Sequence, residues 1–489
     1  MRILYIDIDA LRPDHLGCYG YHRNTSPNID ALAAEGARFA NCHTSDAPCL
    51  PSRTALYTGM FGIHSGVVGH GGTAADLFHE GRGRSFRDRI DNEALPRKLQ
   101  YAGYHTAMIS PFGQRHSARQ FYAGFQEIHN TGGGGMESAE EVTPLLMKWL
   151  DDHVESDNWF LHLNYWDVHT PYRAPESYGE PFKDEPLPAW ITEEVWREHL
   201  KMAGPHKANE INMFDDREDP RFPRHPGSLR TREDLRRMFD GYDTAIRYVD
   251  DQIGQLIFRL KQAGVYEDTL MILSSDHGEN MGELGIYGEH ATADRATCRV
   301  PLLIKGPGIA AGMVDEGLHY SLDLAPTLAD YLDLDHSPIW DGRSYADALT
   351  SGADCGRDQL VISQCAHVCQ RSVRFGPWLY MRTYHDGFHL FPKEMLFNVE
   401  ADPHEQNDLA DTHPEICREG AARLLNWHDE QMASSITNVD PLWTVMREGG
   451  PLHARGKLMP YLEFLRKTGR DWAIPELERR HPRELNRVS

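Results

Sequence analysis

Short continuous apolar runs alternate along this chain with stretches whose apolar residues fall three and four apart, the patterns of buried strands and of helices. Arg2–Ile8 is the first such run and predicts a buried strand that ends in acidic residues. A cap, a proline and a closing glycine frame a helix from Ser26-Pro27 to Gly36. Further strands are predicted over Arg38–Cys42, His105–Ile109, Trp159–Tyr165, Thr269–Ser274 and Arg299–Ile304, and helices over Leu95–Gly103 and Glu137–His153. Between Leu235 and Leu260 the apolar residues trace one face of a long helix, closed by Gly264. Residues 173–230 break the rhythm. They are rich in proline, charge and tryptophan, which predicts a long insertion over the face that carries function. From about 355 the pattern changes to strands (Gln359–Ser363, Gln370–Phe375, Trp378–Tyr384) joined by turns, followed by a helix over Pro414–Glu430. Residues 435–489 form a charged tail whose Trp443, Tyr461, Phe464 and Trp472 predict docking on this subunit or a neighbour.

At 489 residues the chain exceeds one simple core, so one large domain and a smaller one are expected. The boundaries read as 1–354, with the insertion at 173–230, then 355–434 and the tail 435–489. The formal net charge of -23 argues against nucleic-acid or anionic-membrane partners. An anionic substrate would therefore need a local positive site. The eight cysteines are scattered, without the spacing of a disulfide framework or a zinc ribbon. No apolar run is long enough for a signal or a membrane span, so the expected location is cytoplasmic, or periplasmic or secreted had a leader been removed.

Candidate chemistry begins at Cys49. Pro51 suits a first helical turn, Arg53 follows the thiol by four residues, and Gly59 supplies the stop. A thiol so placed meets the unpaired N–H groups of a helix start, where anions are welcome. Asp7 and Asp9 share one face of the first strand, and two carboxylates at a strand's carboxyl end suit a metal. Asp276-His277 follows the Thr269–Ser274 strand in the same manner. His169, after the Trp159–Tyr165 strand, suits a proton donor. His64 and His70 sit in a glycine-rich loop suited to line a pocket.

Cys49-Leu50-Pro51-Ser52-Arg53, with Thr58-Gly59 in register, resembles the signature of the type I, formylglycine-dependent sulfatases of the alkaline phosphatase superfamily. Leu16-Gly17-Cys18-Tyr19-Gly20, His169-Thr170-Pro171-Tyr172, Ser275-Asp276-His277-Gly278, Arg299-Val300-Pro301-Leu302 and Asp341-Gly342-Arg343 resemble further family segments, in family order, to about residue 430. The resemblance implies an α/β fold: a large mixed, mostly parallel sheet flanked by helices, with a smaller C-terminal α+β domain. It implies that a formylglycine-generating maturation enzyme oxidises Cys49 to an aldehyde, whose hydrate attacks sulfur. The second hydroxyl of that hydrate lets the intermediate collapse and expel sulfate, a step closed to a plain serine.

The implied metal ligands are Asp9, Cys49, Asp276 and His277, with Ca²⁺ the first choice and Mn²⁺ or Mg²⁺ the alternatives. Arg53, His169 and His290 fall on catalytic positions, and His116, Arg115, His70 and His64 are candidates for binding substrate. Two departures stand out. Aligned on Leu16–Gly20, the family's usual pair of adjacent aspartates falls on Asp9 and Ala10, which leaves open whether Asp7 substitutes or one ligand is missing. The family's lysine has no counterpart in Ser110–His116, where Arg115 or His116 could serve. The expected reaction is hydrolysis of a small-molecule or oligosaccharide sulfate ester. The alternatives are a phosphonate monoester or phosphodiester hydrolase of the same superfamily, and a sugar-binding protein with Cys49 unmodified. A homo-oligomer formed through the tail is a further expectation.

Overall fold

A computed structural model of the chain describes residues 1–79 and 88–485. Its strands are β1 (Arg2–Ile8), β2 (Ala37–His43), β3 (Asp46–Ala47), β4 (His105–Ile109), β5 (Glu127–His129), β6 (Trp159–Tyr165), β7 (Thr269–Ser274), β8 (Asn280–Met281), β9 (Tyr287–Glu289), β10 (Arg299–Lys305), β11 (Met313–Tyr320), β12 (Gln359–Gln364), β13 (Cys369–Phe375), β14 (Trp378–His385) and β15 (Glu394–Asn398). Eight of them form one sheet in the order β11-β2-β10-β7-β1-β6-β4-β5. Within it β10 runs antiparallel to both of its neighbours, and the other pairings are parallel. Every residue of β1 is buried, as expected of a central strand covered on both faces. Leu4, Ile6 and Ile8 enter the core layer built with the Ala139–His153 and Arg232–Gln262 helices. Ile3 and Tyr5 point the other way, into the layer shared with Cys49, Leu50 and Leu56. Asp7 has the parity of Ile3 and Tyr5, so the pleat turns its carboxylate toward the Cys49 helix.

The predicted elements are present, with small shifts at their ends. The long helix runs over Arg232–Gln262. At its start the Thr231 side chain accepts from the Asp234 N–H, and the Asp234 side chain accepts in return from the Thr231 N–H. The helix predicted over Leu95–Gly103 ends at Tyr101. The insertion is largely irregular, with a 3₁₀ turn at Glu176–Tyr178 and one helix at Glu193–His199.

The smaller sheet has the order β15-β14-β13-β12-β3 and packs against the Pro414–Ser434 helix. Its β3 is a two-residue strand lent by the N-terminal half, paired parallel to β12 immediately before the Cys49 helix. That helix is thereby fixed between the two sheets. The tail folds into short helices, among them Pro441–Arg447 and Leu458–Lys467, and lies on the insertion. The Gly204 N–H donates to the buried Tyr461 hydroxyl, which donates to Glu210 at 2.8 Å, and Arg470 pairs with the same carboxylate. Among the described residues no helix is long and apolar enough to cross a membrane.

Candidate active site

The carboxyl ends of β1, β6 and β7 lie side by side, and the Cys49–Thr58 helix points its first turn at them. Cys49 is fully buried, and its Sγ lies 3.1 Å from His277 Nε2. Burial, reinforced by Asp9 and Asp276, pushes the thiol pKa well above its ordinary value. The helix start therefore does not by itself yield a reactive thiolate here. One turn on, Arg53 reaches the three carboxylates below it. Its Nε donates to Asp7 at 2.6 Å, while Nη2 lies 3.0 Å from Asp9 and Nη1 2.8 Å from Asp276. The ring of Phe112 covers the guanidinium at 4.4 Å. Gly59 ends the helix at φ +66, and a Cβ there would stand 2.5 Å from Trp340.

Asp9, Cys49, Asp276 and His277 offer one ligand atom each within 4.8 Å of one another. Both oxygens of Asp9 and the outer oxygen of Asp276 are buried and accept no hydrogen bond. Arg53 offsets the charge on one oxygen of each, whereas Asp9 Oδ1 is left with no cation beside it, and a buried carboxylate oxygen in that state is costly unless a cation meets it. His277 Nδ1 donates to the Gly278 carbonyl at 2.8 Å, which leaves Nε2 as the free nitrogen facing Cys49. The donor set fits a divalent cation. Burial raises the pKa of Asp276 to about 7, against the pull of Arg53. For Asp9, Arg53 and the neighbouring histidines outweigh burial and hold the carboxyl below its usual range.

Asp7 stands outside this group. Its Oδ2 accepts from Arg53 and from His162 Nε2 at 3.2 Å, so it braces the arginine from behind. Ala10, where the family's second aspartate would fall, sits at φ +60 and donates its N–H to Asp276 at 3.3 Å. It contributes backbone only.

The histidines above the group form a wall. The ring of His290 lies 4.0 Å from that of His277 and 5.0 Å from that of His169. His169 Nδ1 is bonded to the Thr170 carbonyl, which turns Nε2 toward the site. His116 packs on Phe112 at 4.5 Å and near His70 at 5.0 Å, with its Nε2 buried and unpartnered. Burial, with help from Arg115 and Arg53, lowers the His116 pKa to about 3, so the ring is neutral. Arg115 is exposed, lies over Trp166 at 5.0 Å and donates to the Gly134 carbonyl at 3.0 Å.

His64 stands apart. Its Nδ1 pairs with Asp341 at 2.8 Å and its Nε2 with the Gln431 carbonyl at 2.9 Å, so both nitrogens are committed to structure. Sequence reasoning passed over Glu289, His206, His367 and His453, which join the wall. The 27 histidines of the chain were the one available hint, and no local pattern singles out these four.

The fold and the site together define a metal-type centre beside a buried cysteine and an arginine, at the carboxyl edge of a mostly parallel sheet. A profile of the sulfatase family matches residues 2–334, and the chain belongs to that family. Sulfatases are sulfuric ester hydrolases, and this chain is an enzyme of that class. It is similar to the choline-sulfatase of Rhizobium meliloti, 28% identical over 436 residues that cover 79% of this chain and 78% of that one. A protein solved in complex with D-glucosamine-2-N,6-O-disulfate superposes with a TM-score of 0.68 at 19% identity, covering 89% of this chain and 99% of its own. The phosphonate monoester hydrolase of Agrobacterium radiobacter superposes with a TM-score of 0.67 at 21% identity, covering 88% and 96%. At these identities the structural likeness is one of fold.

Proposed function

We propose that the chain hydrolyses a carbohydrate sulfate ester to alcohol and inorganic sulfate, with Cys49 converted to formylglycine by a maturation enzyme. The observation that carries this reading is the convergence of Cys49 with Asp9, Asp276 and His277 beside Arg53. A divalent cation held by these four residues would supply Lewis-acid polarisation and ease loss of a proton at residue 49. The oxygen-rich set favours Ca²⁺, and the imidazole leaves Mn²⁺ or Mg²⁺ open.

The chain's own groups do the rest. Arg53 keeps Asp7, Asp9 and Asp276 oriented and adds positive charge beneath the anion. His277 is locked by its bond to Gly278 and holds its Nε2 at residue 49. Burial pushes the His169 pKa well below its ordinary value, so the ring waits neutral. An arriving sulfate favours its protonation, and Nε2 then delivers the proton to the leaving oxygen. His290 and His116 line the sulfuryl oxygens, with His70 and Arg115 further out. These assignments also resolve the charge question: acidic groups face the cation, and the cation with Arg53 faces the substrate. The carbohydrate preference rests on the polar, histidine-rich wall and on the sugar disulfate bound by a structural neighbour.

The boundaries proposed for the units are 1–354, 355–434 and 435–489. A homo-oligomer through the tail is supported by Trp443 and Trp472, which are 54% and 59% exposed. Eight free cysteines support a cytoplasmic location.

One observation favours a second reading, hydrolysis of a phosphonate monoester or phosphodiester. Ala10 leaves the site a single N-terminal aspartate beside an Asp-His pair, a set compatible with that branch. Parallel assays of purified protein on sulfated mono- and disaccharides, an aryl sulfate and a phenyl phosphonate ester decide between them. Turnover of the sugar sulfates is expected, dominant phosphonate turnover would replace the sulfatase reading, and activity confined to the aryl ester would remove the carbohydrate.

A further inference from the structure

Glu289 ends β9, and its carboxylate is ringed by imidazoles from three separate segments. His206 comes from the insertion, His367 from the turn between β12 and β13, and His290 from the adjacent backbone. All four are buried. His206 Nε2 lies 3.2 Å from Glu289 Oε2, and His367 Nε2 lies 3.7 Å from Glu289 Oε1. The ligand atoms of His206, Glu289 and His367 fall within 4.8 Å of one another.

These contacts do not read as ordinary hydrogen bonds. His206 Nδ1 faces the Ile211 carbonyl at 2.7 Å, an acceptor only, so that nitrogen carries the ring proton. In the neutral ring Nε2 then presents a lone pair to a carboxylate. Two lone-pair groups held face to face repel each other unless a second proton or a metal cation stands between them, and the absence of a hydrogen bond here favours the metal. Consistent with this, neither His206 Nε2 nor His367 Nε2 makes a hydrogen bond. The backbone adds an independent sign. His206 sits at φ +58, in the left-handed region, where its N–H is bonded to the Met213 carbonyl at 3.0 Å and its carbonyl to the Tyr287 N–H at 2.9 Å. A non-glycine residue kept in that conformation by bonds on both sides marks an imposed position. His367 is positioned as well: its ring stacks on His453 of the tail at 4.1 Å, and His453 meets His70 at 3.1 Å.

We propose that His206, Glu289 and His367 form a second divalent-metal site, separate from the Asp9–Cys49–Asp276–His277 group and selective for a zinc-like ion. Two imidazoles and one carboxylate are a nitrogen-rich set that suits Zn²⁺ over Ca²⁺. Tetrahedral bonds near 2.1 Å put ligand atoms about 3.4 Å apart, and the two distances here fall on either side of that value. Three protein ligands leave a position open. His290 lies 3.0 Å from Glu289 and 4.0 Å, ring to ring, from His277, so this group adjoins the substrate wall. A second anionic group of the substrate, a carboxylate or another sulfate, is the ligand that position fits.

The test is metal stoichiometry by elemental analysis of the full chain after loading with Ca²⁺ together with Zn²⁺ or Co²⁺ and gel filtration, with the visible spectrum of the Co²⁺ form. Wild type is expected to hold two equivalents, and Glu289→Gln to hold one, its second equivalent weakened by at least about 100-fold. Asp276→Asn is expected to keep an equivalent with the absorption of tetrahedral Co²⁺. One equivalent in wild type would overturn the proposal whatever the variants do. Two equivalents retained in both Glu289→Gln and His367→Ala would place the extra ion elsewhere, such as the His105–Glu127–His153 group at the sheet edge, and overturn it too.

Discussion

Cys49 Sγ lies 3.1 Å from His277 Nε2, although 228 residues of chain separate them. Two contacts fix the pair. The Ser52 hydroxyl donates to the Asp276 carbonyl at 2.6 Å, which ties the Cys49 helix to the loop after β7, and Gly278 locks the His277 ring. Replacing Cys49 by alanine leaves this scaffold in place and removes the group that becomes the nucleophile. Activity on the best ester is expected to fall by at least roughly 10³-fold with the melting temperature little changed. Peptide mass spectrometry of wild type produced beside a maturation enzyme should find an aldehyde at position 49. An intact thiol in active protein would remove formylglycine from the mechanism.

Arg53 is in direct contact with three buried aspartates. Lysine keeps the charge but has no fork with which to reach all three. Arg53→Lys is expected to cost roughly 3 kcal/mol in urea denaturation, because it leaves buried carboxylates without a partner. Divalent cation should recover part of that loss. Unchanged stability would mean that the three contacts contribute nothing net.

Gly59 combines a left-handed φ of +66 with a neighbour, Trp340, that a Cβ would overlap at 2.5 Å. Gly59→Ala is expected to destabilise the fold by about 2 kcal/mol, of which the backbone accounts for about 1–2 kcal/mol. Because the helix it ends carries Cys49, activity should fall further than stability alone explains. A thermal melt with parallel kinetics checks both.

His64 bears on stability rather than on substrate. Burial opposes its protonation, but the Asp341 carboxylate outweighs burial and raises its pKa above the ordinary value. A group whose folded pKa is raised stabilises most fully below the unfolded pKa of about 6.5 and loses that contribution as the pH rises through the folded value. The stability difference between wild type and His64→Gln should therefore be largest near pH 6 and shrink above it, with KM nearly unchanged. A large rise in KM would return His64 to the substrate pocket.

Much of the frame was legible because it is local. The apolar core of β1, the helix that begins at Pro27 and stops before Gly36, and the long face closed by Gly264 each satisfy rules of spacing that need no distant partner, although the Ser26 side chain bonds Asp30 rather than capping its helix. The same holds for Cys49 at a helix start, Gly59 at its end, and Asp276-His277 after a strand. Other features carried no local signal. Asp46–Ala47 is two residues long, and only its pairing with β12 makes it a strand. His64 looked like a pocket residue until Asp341 and Gln431 occupied both of its nitrogens. The docking of Tyr461 and Arg470 on Glu210 joins partners 251 and 260 positions apart in the sequence.

The sequence by itself pointed to the class of chemistry through the resemblance of Cys49–Gly59 and the strand-end motifs to the sulfatases, and helix and strand periods placed those motifs at element ends. It also indicated a large sheet with a smaller one and the alanine at position 10. Only the tertiary structure decided which side chains share a site. It set Asp7 behind Arg53, bonded both nitrogens of His64 to Asp341 and Gln431, and gathered His206 and His367 at Glu289 with His453 stacked on His367. The reason is physical. Hydrophobic periodicity fixes which face of an element is buried, whereas the partner a buried polar group finds depends on chain segments brought close by packing and on the cost of leaving that group unpaired.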